Sequence, residues 1–295
     1  MRDRFVQMLV PAIVVLALVV AVRHVYAQAK PPVPAAELLE PAKRAATEIY
    51  GGRFRQAKTA AEKTALATEM IEAATKVQDG SPDQYVLLKI AADIAATAGD
   101  APTALQAVEK MAERFDVPGP KLSAETLLAV AGNASSTSQH KAVGESVLKI
   151  ADAVAGAEEY KLALDLCELA KSSAQKARQY PLVKDVAAKI EDFQKRQRAF
   201  QEYKAAWALM QEDPAEPAAN LTAGRYLCLV KGDWLKGVPM LALGSDAALR
   251  NVSLMELRGA KSAEQQAAIG DAWWDAAEAR QGEERNLLQL RAGLW

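Results

Sequence analysis

Helix starts are written into this chain three times in the same way. Ser81-Pro82-Asp83-Gln84, Thr59-x-x-Glu62 and Ser262-x-x-Gln265 each place a hydroxyl where it can accept from an amide three residues on, with a side chain that can bond back. Pro82 falls at the first helical position, where its missing N–H is no loss. A chain that signals helix entry so often, and offers no strand pattern, is constrained to be all-α. Its composition agrees: hydrophobic residues make up 51% but aromatics only 6%, so alanine and leucine carry the apolar share and favour close helix contacts.

The helices are expected to fold back on one another with almost no loop. The helix opened at Ser81 runs through "YVLLKIAADIAATAGD" and stops at Gly99, after which Asp100 can cap "APTALQAVEKMAERF", with Pro102 tolerated in its first turn. The same device recurs in "GRYLCLVKGDWLKGVPMLALGSD", Gly224 to Asp246. There Gly232 can take the left-handed conformation that ends one helix, Asp233 can accept from the first amides of the next, and Trp234 opens it. On this reading Tyr226, Cys228 and Leu229 belong to the first helix and Trp234, Val238 and Leu241 to the second.

Such hairpins resemble tetratricopeptide units, whose second helix carries an aromatic or small residue after the turn and a small residue three further on. Ala101 with Ala104, Tyr160 with Ala163 and Trp234 with Gly237 fit that pattern. They lie 59 and then 74 residues apart instead of at the regular spacing of about 34. The expected architecture is therefore an irregular, tetratricopeptide-like stack of antiparallel helix pairs, α-solenoid-like in character. "AIGDAWWDAAEA" is similar to the first helix of one such unit.

Four segments follow from composition and breaks. Residues 1–27 hold an apolar run from Phe5 to Val22 and end in Val25-Tyr26-Ala27, the spelling of a signal-peptidase site; an uncleaved anchor is the alternative. Either way the chain is expected to be exported, periplasmic or at the cell surface, and to meet a membrane only through an uncleaved N-terminus. Residues 28–37, containing "KPPVPAAE", read as a Pro-rich linker holding the folded part away. Residues 38–212 form the helical-repeat region. It ends in a long helix between Pro181 and Asp213, where Val186, Phe193, Phe200 and Trp207 recur every seven residues and Ile190, Tyr203 and Met210 fill the intervening turns. "DPAEPAAN" then marks a boundary to a C-terminal helical module over 213–295.

Several chemistries have no foothold. The chain has 36 basic and 37 acidic residues, and loss of residues 1–27 leaves 33 and 36, so nothing suggests a nucleic-acid partner. That cleavage leaves His140 as the sole histidine, which argues against a His-built metal site or a Ser-His or Cys-His pair. No P-loop, dinucleotide fingerprint, nucleophile elbow or Cys-x-x-Cys is spelled, so no catalytic, cofactor-binding or metal-binding residue is assigned and no enzyme is expected. Cys167 and Cys228 lie in apolar helical patterns and read as buried thiols, although an oxidising compartment would permit a bridge. Lys231 and Asp233 could be imagined as an acid-base pair, but helix-end electrostatics would place them there anyway. Asn133, Asn220 and Asn251 carry the glycosylation spelling, relevant only in a eukaryotic secretory pathway.

One surface stands out. Trp273 and Trp274 with Asp271 and Asp275 could form a partner surface or a sugar-binding groove, indole faces stacking while carboxylates take hydroxyls. Neighbours on a helix diverge by about 100 degrees, so at most one of the two indoles can lie deep in the core.

Taken in order, "YVLLKIAADIAATAGD", "AGRYLCLVKGDWLKGVPMLALGSD" and "AIGDAWWDAAEA" resemble a family of exported planctomycete-type bacterial proteins, over most of residues 46–295. In these a helical region often precedes a further domain such as a concanavalin-like module. The resemblance implies an exported, polysaccharide-rich setting and no catalytic residues. It also departs from the pattern: "NLLQLRAGLW" stops in mid-helix at Trp295 where relatives continue, as a short or truncated member would. The function expected is a noncatalytic scaffold holding an unknown protein partner in the cell envelope, with carbohydrate binding through Trp273 or Trp274 as the alternative.

Overall fold

The computed structural model describes residues 30–295, so the expected signal or anchor over 1–27 lies outside the described residues. The described chain is all-α, an irregular tetratricopeptide-like succession of helices in which each packs on its neighbour. The described residues divide into two compact units, residues 30–147 with 176–178 and residues 148–175 with 179–295.

In the first unit, α1 (Ala36–Gln56) is followed by α2 (Ala60–Ala74), α3 (Pro82–Thr97), α4 (Ala101–Arg114), α5 (Gly119–Asn133) and the start of α6 (Thr137–Gly156). The capping signals act as spelled. Thr59 and Glu62 form a reciprocal capping box, Ser81 accepts from the Gln84 amide, and the Gln84 side chain reaches back to Gly80 N at 2.9 Å and donates to Ala74 O at 2.9 Å. Gly99 has φ +71°, and Asp100 N closes onto Ala95 O at 3.0 Å while its carboxylate caps α4 at Thr103. α3 is the hub, packed on α1, α2, α4 and α5. Its crossings are made by alanine: Ala91, Ala95, Ala101, Ala104 and Ala107 are wholly buried, and so small a side chain lets helix axes approach closely.

The Pro-rich stretch corrects the expectation of a spacer. Pro31 O accepts from Asp116 N at 2.8 Å, Pro32 forms an isolated bridge with Asp116, and Lys30 Nζ donates to Ala112 O at 2.6 Å. An extended proline segment keeps its carbonyls free, and here the end of α4 uses them. Residues 30–35 are thus part of the first unit, and helix begins at Ala36.

In the second unit come the rest of α6, then α7 (Tyr160–Lys176), α8 (Tyr180–Glu212), α9 (Pro217–Arg225), a π-helical turn (Tyr226–Val230), α10 (Trp234–Leu241), α11 (Ala247–Arg258), α12 (Ala263–Glu278) and α13 (Gly282–Ala292). The expected boundary at 213 is instead a tight turn inside this unit. Glu216 caps α9, and α9 packs back on α8. The seven-residue seam of α8 is internal at its start, where Val186 and Phe193 are fully buried, and opens toward Trp207, which is 43% exposed. Asn220 is buried and donates to Pro214 O and Glu216 O, each at 2.9 Å, so its amide serves the turn and is closed to a glycan. The last helix ends at Ala292, and Trp295 folds back beyond it instead of lying in mid-helix. Among the described residues no helix is long and apolar enough to cross a membrane.

Candidate functional site

The Gly232-Asp233 joint is built as expected, but the helix before it is not. Gly232 has φ +68°, and Asp233 Oδ1 accepts from Lys236 N at 3.2 Å. The Lys236 ammonium, 2.9 Å from the same carboxylate, holds the Asp233 carboxyl below the usual aspartate range. Upstream, Lys231 N bonds Tyr226 O at 3.0 Å across five residues, so Tyr226, Cys228 and Leu229 occupy a π turn, widened by one residue relative to an α turn. Glycine shapes this crossing. A Cβ on Gly237 would stand 2.3 Å from Cys228 Sγ and 3.0 Å from Gly224 O, and one on Gly224 would stand 2.9 Å from Leu241 N. The helix pair therefore meets backbone to backbone.

The π turn delivers Tyr226 and Lys231 to the end of α6. Tyr226 Oη donates to Glu158 Oε1 at 3.1 Å and lies 3.3 Å from Tyr160 Oη; burial, helped by these neighbours, pushes its hydroxyl pKa up. Lys231 Nζ donates to Gly156 O at 2.7 Å and pairs with Glu158 at 3.2 Å. Glu158 itself has φ +66°, the left-handed position that ends α6 and that glycine usually fills. Holding a side chain there costs roughly 1–2 kcal/mol, and the bonds its carboxylate makes to Tyr226 and Lys231 give a reason for glutamate over glycine. Lys231 and Asp233 are thus each bound to other partners and do not form an acid-base pair.

An aromatic ladder continues from this network. Tyr226 stacks on Tyr203 at 4.6 Å and 22°, and Tyr203 meets Trp207 at 6.1 Å and 40°. Tyr203, Trp207, Leu227 and Met240, with Glu158, Lys231, Asp233 and Lys236, line a cleft of about 520 Å³ within the second unit. The Tyr203 hydroxyl is pushed up in pKa by burial and by Glu158, and neither it nor the Trp207 indole N–H bonds a described residue. A half-open aromatic surface with free donors and a charged rim can hold a ligand that stacks and offers acceptors.

The tryptophan pair of α12 separates. Trp273 is completely buried, its Nε1 donating to Glu256 Oε2 at 2.8 Å, so it serves the core and is closed to any ligand. Trp274 is 47% exposed, with Asp271 and Asp275 beside it on the solvent face. Sequence reasoning missed what receives Trp273. Glu256 on α11 also accepts from Trp295 Nε1 at 3.0 Å and from both Nε and a terminal nitrogen of Arg291, whose guanidinium lies 5.1 Å over Trp234. Trp234 in turn meets Trp273 edge to face at 5.5 Å. A buried indole needs an acceptor, and that need was the available signal; the acceptor lies 17 residues away.

Both cysteines are free and buried, and burial pushes the thiols up to about 11 at Cys167 and about 12 at Cys228, away from nucleophilic use. Compared with protein-family models, with characterised proteins and with solved structures, the chain matches none.

Proposed function

We propose that this chain is a noncatalytic helical-repeat scaffold of the cell envelope that holds a protein partner through the cleft of its second unit. The observation that carries the reading is Trp207. It ends an aromatic ladder, is 43% exposed, and has no indole N–H partner among the described residues, beside Tyr203 and a rim of paired charges. Large aromatics of this kind are the usual anchors of protein interfaces. The exported setting rests on the apolar run of residues 5–22 and on the likeness to exported bacterial helical proteins.

Capture from an envelope fraction by immobilised protein tests this. A partner retained by the parent chain should be lost on Trp207→Ala, by at least about 30-fold in affinity if Trp207 is an anchor worth about 2 kcal/mol, and kept by Trp274→Ala. The carbohydrate reading survives only through Trp274 with Asp271 and Asp275. Glycan binding abolished by Trp274→Ala, with Trp207→Ala silent, would replace the scaffold reading.

A further inference from the structure

The first unit holds an apolar groove. It lies between α1 and α3, has a volume of about 390 Å³, and is lined by Tyr50, Gly51 and Phe54 on one side and Ile90 and Ile94 on the other. Its two threonine hydroxyls are turned back onto their own helices, Thr47 Oγ1 onto Lys43 O at 2.8 Å and Thr97 Oγ1 onto Ile94 O at 2.8 Å. The volume falls in the range of small-ligand sites.

Two features point to an occupant. The first is the pair Gly51-Gly52 in the interior of α1. Glycine weakens a helix interior relative to alanine, and neither residue has a positive φ to excuse it. Packing does not demand Gly52, where a Cβ would meet nothing within 4 Å; a Cβ on Gly51 would press on Thr47 Cγ2 at 3.3 Å and reach Arg55 at 4.0 Å, both side chains of α1 itself. Gly51 lines the groove, where any larger side chain would take up its space.

The second feature is charge. Arg53 is engaged by Glu69 through two bonds of 2.5 Å, and Asp93 is held by Lys89 at 2.6 Å. Arg55, one turn beyond Gly51 and part of the groove lining, has no hydrogen-bond or ion-pair partner among the described residues. An apolar trough with one uncommitted guanidinium matches a ligand with an apolar body and one anionic head. The planar fork of arginine fits a carboxylate through two parallel bonds.

We propose that this groove binds a single-chain carboxylate amphiphile, its apolar chain against Tyr50, Phe54, Ile90 and Ile94 and its carboxylate on Arg55. The site is independent of the second-unit cleft and stands whatever that cleft binds.

Isothermal titration of the full chain with dodecanoate, kept below its micelle concentration, tests the proposal, with dodecyltrimethylammonium as the charge-reversed probe. Dodecanoate should bind saturably at one site and dodecyltrimethylammonium should not. Arg55→Glu should weaken dodecanoate at least tenfold and Arg55→Lys by less, since the charge stays and the fork is lost. Gly51→Leu should abolish binding by filling the groove, whereas Gly52→Ala, where a Cβ meets nothing, should leave binding intact and raise the melting temperature by about 2 °C, as removal of a helix-interior glycine does. No dodecanoate binding, equal binding of both probes, or binding indifferent to Arg55→Glu would overturn the proposal. So would a dimer that Gly51→Leu converts to monomer in sedimentation, which would make a second copy the occupant.

Discussion

The same two-residue joint, glycine then aspartate, closes a helix pair in each unit, and the two joints use their glycines differently. Gly99 and Gly232 both sit at φ near +70°. Around Gly99 the chain is crowded: a Cβ would stand 2.9 Å from Gln139 Nε2, 3.0 Å from Asn133 O and 3.1 Å from Ala134 Cα. Around Gly232 a Cβ would meet nothing within 4 Å. One glycine answers to both conformation and space, the other to conformation alone. The crossings behind them differ as well. The first unit brings α3 and α4 together on wholly buried alanines in regular α-helix, whereas the second interleaves Gly224 and Gly237 and absorbs the crossing in a π turn. Local signals of identical spelling therefore specify where a hairpin turns, and the residues at the crossing decide how its helices meet.

The largest effect should come from the aromatic core peculiar to the second unit. Trp273→Ala empties a fully buried site and removes a donor from Glu256, and should cost about 3–5 kcal/mol in chemical denaturation. A loss under about 1 kcal/mol would mean that the Glu256 cluster does not organise this unit.

Next come the two joints themselves. Gly99→Ala combines left-handed strain with collision against backbone, and should cost about 2–4 kcal/mol; Gly232→Ala carries the strain alone, about 1 kcal/mol. Paired thermal melts of the two variants measure the difference directly, and equal losses would erase the distinction drawn here.

The caps should differ in the same sense. Asp100 accepts not only from Thr103 N but from Thr64 Oγ1 at 2.9 Å and Thr103 Oγ1 at 2.7 Å, so Asp100→Ala should cost about 1–2 kcal/mol, the upper part of the range for a cap. Among the described residues the Asp233 carboxylate is hydrogen-bonded only by Lys236, and its replacement should cost less.

The smallest effect is one of pH. Because Lys236 depresses the Asp233 carboxyl in the folded chain, the stability it contributes is complete above the ordinary aspartate pKa of about 4 and is lost as pH falls through the lowered folded value. Melts of the parent chain and Asp233→Asn should therefore differ at neutral pH and converge in acid. A gap that stayed constant down the pH series would show that the carboxylate charge plays no part.

By itself the sequence determined the all-α class and most helix ends, because a cap is a contact over three residues and a left-handed glycine is a property of one. Ser81, Thr59, Ser262, Asp100 and Asp233 all cap where they are spelled, and Ala101, Tyr160 and Trp234 each open a helix. What sequence reading misplaced was set by distant partners. Pro31 is docked by Asp116, the break at 213 is closed by α9 returning to α8, and Tyr226 enters a π turn where Gly224 and Gly237 let two helix backbones approach. The tertiary structure alone decided which tryptophan would be core and which would be surface. Both fit the helical period of α12, and the choice fell to Trp273 because Glu256, on another helix, accepts its indole N–H in a site closed to water.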